Sequence, residues 1–201
     1  MSFKWVWKTE TPPKVQFLLW LCLHDSLPTT EVLSSRGLIL DPMCKMCNRD
    51  YETIEHLLKG CEVTHNFWQQ LQTPYYTRNS FTLPLKEWIE ANCKDELNAT
   101  VKGMPWKILF PMALWQLWLH RNNFVFRTGT VDHQLWKECL QYSIEFYSIG
   151  LEAKIKQSKT SVPLGWKKPP RGWMKLYSDG SVLRNLGGAG GGGLIRDHDG
   201  S

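Results

Sequence analysis

Between positions 44 and 61 the chain places three cysteines and one histidine, Cys44, Cys47, His56 and Cys61, in the spacing C-x2-C-x8-H-x4-C. No other feature restricts the fold as much. A C-x2-C turn brings two thiols toward one point, and a His and a Cys around a following short helix can close on that point from the other side. Thiolate and imidazole are the donors zinc takes at tetrahedral corners, at about 2.0–2.3 Å. Four protein donors leave no open coordination position, so the expected ion is a structural Zn2+ rather than a catalytic one. His65 is a competing candidate that ranks below Cys61.

The remaining cysteines, Cys22, Cys93 and Cys139, are isolated from one another. The first ten residues, MSFKWVWKTE, lack the apolar run of a secretory leader. A disulfide framework is therefore not expected, and a reduced, intracellular setting is; nucleus and cytoplasm are both left open. The apolar-rich stretch from Trp106 to Leu119 is too short for a membrane span and is interrupted by Lys107, Pro111 and Gln116. No membrane association is expected.

Helical signals dominate the first three quarters of the chain. Pro12-Pro13 opens a helix that is apolar from Val15 to Leu23 apart from Gln16, which predicts burial on all sides. Thr29 or Thr30 can cap a short second helix that stops at Gly37. Asp41-Pro42 predicts a turn ahead of the Cys cluster, and Thr53 a cap for a helix through Leu58, ended by Gly60. Val63 to Leu71 reads as a helix with Phe67, Trp68 and Leu71 inward, and residues 73–84 as a loop. From about Pro105, apolar residues recur every three or four positions, with Pro111 either a kink or a first turn. A further amphipathic helix spans about Asp132 to Leu151, with Leu135, Cys139, Tyr142 and Phe146 in one stripe. The sequence leaves open whether these later helices pack on the Cys/His region.

Residues 152–173 hold six basic residues and one acid, while the rest of the chain is balanced. That segment suits either a solvated linker or a phosphate contact. After it the period changes to two: Trp173 to Asp179 alternates as a strand, a Gly- and Asn-rich turn follows, and Leu194-Ile195-Arg196 forms a second short strand. Gly188, Gly190 and Gly193 formally satisfy G-x-G-x-x-G, but a dinucleotide site needs a helix directly after the glycines. A strand pattern follows instead, so no cofactor site is expected there.

These residues carry a family resemblance. PPKVQFLLWLCLHDSLPTTEVLSSRGL, CKMC, IEHLLKGC and FWQQL, in this order, resemble the reverse-transcriptase zinc-binding domain of plant non-LTR (LINE-type) retroelements over about residues 3–72. ALWQLWLHRNNFVFR at 113–127 resembles the segment that follows it in those polyproteins. MKLYSDGS and GGAGGGGLIRDHDG resemble the start of an RNase H type 1-like domain. The resemblance implies a mainly α chain: a small helical zinc-binding domain at 3–72, a helical connector at 105–151, a basic linker at 152–173, and at 174–201 the β-hairpin that begins an α/β RNase H-like fold.

The same resemblance implies function. RNase H-like domains cut the RNA of RNA–DNA hybrids with two Mg2+ ions held by clustered carboxylates. Asp179 matches the first of these; the others lie further along, and the sequence stops at Ser201. Asp197 and Asp199 fall in a turn and are not assigned to the site. The expected function is a retroelement-derived, nucleic-acid-associated zinc protein without nuclease activity of its own. RNA, DNA or their hybrid would be the partner. Lys45, Arg49 and Lys59 are the candidate phosphate contacts, with Trp5, Trp7 and Trp68 nearby in sequence. The alternatives are a hybrid-specific ribonuclease in the intact family member, and a protein-interaction scaffold that binds no nucleic acid.

Overall fold

The computed structural model describes residues 3–38, 41–74, 80–94, 96, 98–156, 168–182 and 189–200. The chain divides into two compact units, Met1–Lys156 and Gln157–Ser201.

The first unit is helical. After a 3-10 turn at Lys4–Lys8 come α1 (Pro13–Leu23) and α2 (Thr30–Ser35). The Cys/His region follows, then α3 (Glu62–Leu71), α4 (Leu85–Lys94), a two-residue ladder of β1 (Thr100–Val101) with β2 (Met104–Pro105), α5 (Trp106–Asn123) and α6 (Leu135–Lys156). Local chemistry explains the boundaries. Pro13 sits at the first position of α1, where its missing N–H costs nothing. The Thr29 side chain accepts the Val32 N–H and caps α2. Gly37 then takes a left-handed φ of +88°, which a side chain would oppose.

One hydrophobic cluster runs through the unit from Val6 to Cys139. Its centre is aromatic. Phe110 of α5 stacks on Trp68 of α3 at 5.6 Å and meets Trp88 of α4 edge-on at 4.9 Å. Two buried polar groups at this centre are paired, the Trp106 indole donating to Asn92 Oδ1 at 2.8 Å and Asn92 Nδ2 to the Trp88 carbonyl at 2.8 Å, while the Trp88 indole N–H has no partner. Phe67, Trp68 and Leu71 are inward as their spacing requires.

Two expectations need correction, and one helix is additional. Helix α1 is not buried all round, since Phe17 is 53% exposed and stacks on Trp20 at the surface. Pro111 is not the first turn of its helix: it lies inside α5, which already begins at Trp106. After residues 73–84 comes α4, a helix not among the expectations above, with Leu85, Trp88, Ile89, Asn92 and Cys93 as its buried face at the amphipathic spacing i, i+3, i+4, i+7, i+8.

The second unit is an antiparallel hairpin of β3 (Lys175–Val182) and β4 (Ala189–Arg196), in register from Lys175 opposite Arg196 to Val182 opposite Ala189. Strand β4 is longer than the three residues the pattern marks, because glycines carry no hydropathy signal. At Gly193 an added Cβ would lie 3.2 Å from the Tyr177 carbonyl, so the small residue allows the strands to approach. A strand occupies the positions of Gly190 and Gly193, as a dinucleotide loop could not; Gly188 lies outside the described residues. The same holds for residues 157–167 of the basic segment.

Candidate metal centre

The two halves of the cluster are built differently. Residues 42–52 form a tight knuckle. Met43 bridges Tyr51 in antiparallel fashion, the Cys44 N–H donates to the Asp50 carbonyl at 2.8 Å, and the Glu52 N–H donates to the Pro42 carbonyl at 2.8 Å. Asn48, which tolerates a left-handed backbone better than most residues, takes φ +53° at the tip. Cys44 and Cys47 emerge from this knuckle.

The other two residues bracket a wide helical turn, His56–Gly60. Thr53 Oγ1 accepts the His56 N–H at 2.8 Å, so the N-cap expected at Thr53 is present. The Cys61 N–H reaches back to the His56 carbonyl at 2.6 Å, an i to i−5 bond. Widening the turn carries Cys61 to the same side as His56. It also leaves carbonyls without helical donors. Helix α3 supplies them: Thr64 Oγ1 donates to the Leu57 carbonyl at 2.7 Å, and the Trp68 indole donates to the Leu58 carbonyl at 2.9 Å.

The four donor atoms converge. Cys44 Sγ lies 4.0 Å from Cys61 Sγ, Cys47 Sγ lies 3.3 Å from His56 Nε2, and all four lie within 4.8 Å of one another. A zinc tetrahedron with arms of about 2.3 Å to sulfur and about 2.0–2.1 Å to nitrogen has S–S edges of about 3.8 Å and S–N edges of about 3.6 Å. The cluster therefore fits Zn2+ in donor type, number and size. His65 stays outside it, its Nε2 engaged with Gln69 Nε2 at 2.9 Å.

Electrostatics favour thiolate at Cys44 and oppose it at Cys61. Cys44 is drawn down to about 5, first by its hydrogen bond from Cys61 and then by the backbone N–H groups of Cys47 and Met46. Cys61, which keeps the shared proton, is pushed up by that same bond and by burial. A cation placed between them would displace this proton and satisfy both sulfurs.

Behind the knuckle lies an ion pair with no counterpart among the sequence expectations. Glu52 is fully buried. Its carboxylate accepts Arg121 Nε at 3.1 Å, Arg121 Nη2 at 2.5 Å and the Thr30 N–H at 2.9 Å. Arg121, 2% exposed, also donates to Asn122 Oδ1 at 2.9 Å and lies over the Trp118 ring. The residue following Tyr51 is thus clamped to α2 and to the C-terminal end of α5. A signal exists for Arg121: it continues the inward spacing Leu114, Leu117, Trp118 where an apolar residue is expected. Nothing local marks Glu52.

The three expected phosphate contacts all face acids. Lys45 pairs with Asp41, and Arg49 pairs with Glu62 at 2.9 Å. Lys59 is 10% exposed, pairs with Glu55 at 2.6 Å and donates to the Leu83 carbonyl at 2.7 Å. Trp68 is buried, whereas Trp7 is 50% exposed. Asp179 sits within β3 opposite Gly192, not at the strand's end. Among the described residues it joins no group of metal-capable side chains; Asp197, His198 and Asp199 form a separate one in the turn after β4.

No helix among the described residues is long and apolar enough to cross a membrane. No solved structure matches the chain. Over 99% of its length the chain is 27% identical to a putative ribonuclease H protein of Arabidopsis thaliana, and it spans 32% of that relative. Residues 1–68 match the family model for zinc-binding in reverse transcriptase, and the Cys/His cluster lies within that match.

Proposed function

We propose that Cys44, Cys47, His56 and Cys61 hold one structural Zn2+, and that the helical unit so fastened is a nucleic-acid-associated module of a retroelement polyprotein. The observation that carries this reading is the convergence of three sulfurs and one imidazole nitrogen within 4.8 Å, inside the segment that matches the reverse-transcriptase zinc family. Zinc bound by four protein donors does no chemistry on a substrate. It fixes the knuckle to the wide turn, and the protein surface does the binding. RNA, DNA or their hybrid is the partner class suited to a reverse-transcriptase-linked region.

Asp179 is the candidate for an RNase H-like Mg2+ site only through its match to the first of that family's carboxylates. Mg2+ is held by carboxylates together with substrate phosphates, and one carboxylate alone holds it weakly. Binding, rather than cleavage, is the role these residues support. Fluorescence anisotropy with labelled single-stranded RNA, DNA duplex and RNA–DNA hybrid at low and moderate salt tests the reading. Salt-dependent binding with no Mg2+-dependent cleavage of the hybrid is expected. Absence of binding to every probe at low salt would instead favour a protein-interaction scaffold.

A further inference from the structure

We propose that a lysine-lined cleft on the face formed by the 3-10 turn Lys4–Lys8, the end of α4 and the start of α5 seats the phosphodiester backbone of single-stranded nucleic acid. The inference rests on the nucleic-acid reading above and gives it a location distinct from the metal centre.

The cleft encloses about 230 Å³ and brings together Lys8, Lys94 and Lys107, with Trp5 in its wall. These residues come from three separate elements, and only the fold unites them. Two of the lysines differ from the basic residues near the zinc cluster. Lys45, Arg49 and Lys59 each have an acidic partner. Among the described residues, neither Lys8 nor Lys107 has an ion-pair partner. Lys94 pairs with Glu90 at 2.6 Å while lying over the Trp5 ring. Glu10 also lines the cleft, so three lysines, one of them already paired with Glu90, face one lining acid.

Lys107 is placed against the usual helical electrostatics. It stands in the first turn of α5, an 18-residue helix with no acidic residue in that turn and no side-chain cap. Helix N-termini carry partial positive charge, and a cation there is unfavourable. Bringing Lys8 and Lys94 to the same place adds to the repulsion. An anion seated among them would relieve it, and phosphate is the anion that lysines meet as point charges. The Trp5 indole N–H is buried without a hydrogen-bond partner, and exposed Trp7 stands two residues away on the same turn. A phosphate with a neighbouring unpaired base matches this combination of charge and exposed ring; single-stranded binding sites combine charge with aromatic stacking in this way.

The test uses the full chain loaded with zinc and a fluorescein-labelled single-stranded RNA, titrated at several salt concentrations. The K8A/K107A variant is compared with K86A, whose lysine pairs with Asp25 away from the cleft. The proposal expects K8A/K107A to bind about tenfold or more weakly, and its salt slope to fall by about 1.4, two contacts at about 0.7 each. K86A should match the parent. Free inorganic phosphate at the same concentration of phosphate groups should compete poorly, since a polymer engages several contacts at once. In the parent chain, bound RNA should protect Lys8, Lys94 and Lys107 from acetylation and leave Lys86 reactive; this readout does not depend on any variant folding. RNA binding that survives K8A/K107A with affinity and slope unchanged, or without lysine protection, would overturn the cleft while leaving the nucleic-acid reading intact. Absence of RNA binding by the parent, or equal competition by an acidic peptide, would overturn both.

Discussion

The knuckle and wide turn at residues 42–61 and the aromatic centre around Phe110 lie in one unit but are held by different means. The centre is a set of large rings from α3, α4 and α5, with the Trp106 indole and the Asn92 amide satisfied among their neighbours. It needs nothing beyond its own side chains. The segment 42–61 has only one isolated bridge, a few backbone hydrogen bonds and one wide helical turn, and it buries the sulfurs of Cys44 and Cys61 and the carboxylate of Glu52. Those groups are costly to bury alone and favourable to bury in company. A bound ion would satisfy the sulfurs, and Arg121 satisfies the carboxylate. The contrast teaches that a short irregular segment can be as well defined as a helical core if its polar groups converge on a shared partner.

The sharpest way to break the comparison is to remove a ligand. Cys61→Ser should abolish stoichiometric zinc retention. Structural zinc sites in small domains contribute on the order of 10 kcal/mol, so residues 42–61 should lose amide-exchange protection while Trp88 and Phe110 keep theirs. Equal loss of protection in both regions would mean that the centre depends on the metal too.

Arg121→Met comes next. It leaves Glu52 charged and buried without its bidentate partner, a change that typically costs about 3–5 kcal/mol. Chemical denaturation checks it, and the double variant E52L/R121M should recover most of the loss, because the pair as a whole is worth far less than the penalty for splitting it. Phe110→Ala should cost a comparable 3–5 kcal/mol, roughly, by leaving a cavity among three indoles. Its mark is different: zinc content measured by atomic spectroscopy should remain at one per chain.

These regions are legible in the sequence to different degrees, for physical reasons. The four metal ligands stand out because zinc restricts both residue type and spacing. Helix α3 and the stripe from Leu135 to Cys139 stand out because their apolar residues follow the helical period strongly. Helix α4 is legible by the same rule, with Leu85, Trp88, Ile89, Asn92 and Cys93 at i, i+3, i+4, i+7 and i+8 and charged residues on the opposite face. Glu52 is not, because a buried carboxylate is recognised by its partner, and Arg121 is 69 residues away. Lys45, Arg49 and Lys59 are phosphate candidates only by proximity in sequence to the cluster; Asp41 and Glu55 stand four residues before Lys45 and Lys59 and are legible as local partners, whereas only the fold brings Glu62 to Arg49. The alternation at 173–179 places Asp179 in a strand, though the strand extends past it to Val182 because its final residues alternate poorly.

The smallest expected effect concerns acid. His120, near the end of α5, is buried, and burial lowers its pKa below the ordinary value while Asp132 opposes the shift. A histidine held neutral in the folded chain stabilises it fully above the unfolded pKa, about 6.5, and that contribution is lost as pH falls through the folded value. His120→Leu should therefore flatten the decline in melting temperature between pH 7 and 5 in the zinc-loaded chain. An unchanged decline would assign the acid sensitivity to the metal ligands alone.

The central claim, that an ion held by Cys44, Cys47, His56 and Cys61 fastens the knuckle to the wide turn, is tested most directly by cobalt substitution of the purified chain. One equivalent of Co2+ should give the intense d–d bands of a tetrahedral site with thiolate ligands, Zn2+ should displace it, and stripping the ion should remove exchange protection from residues 42–61. An octahedral spectrum, or protection in that segment that is the same with and without metal, would contradict it.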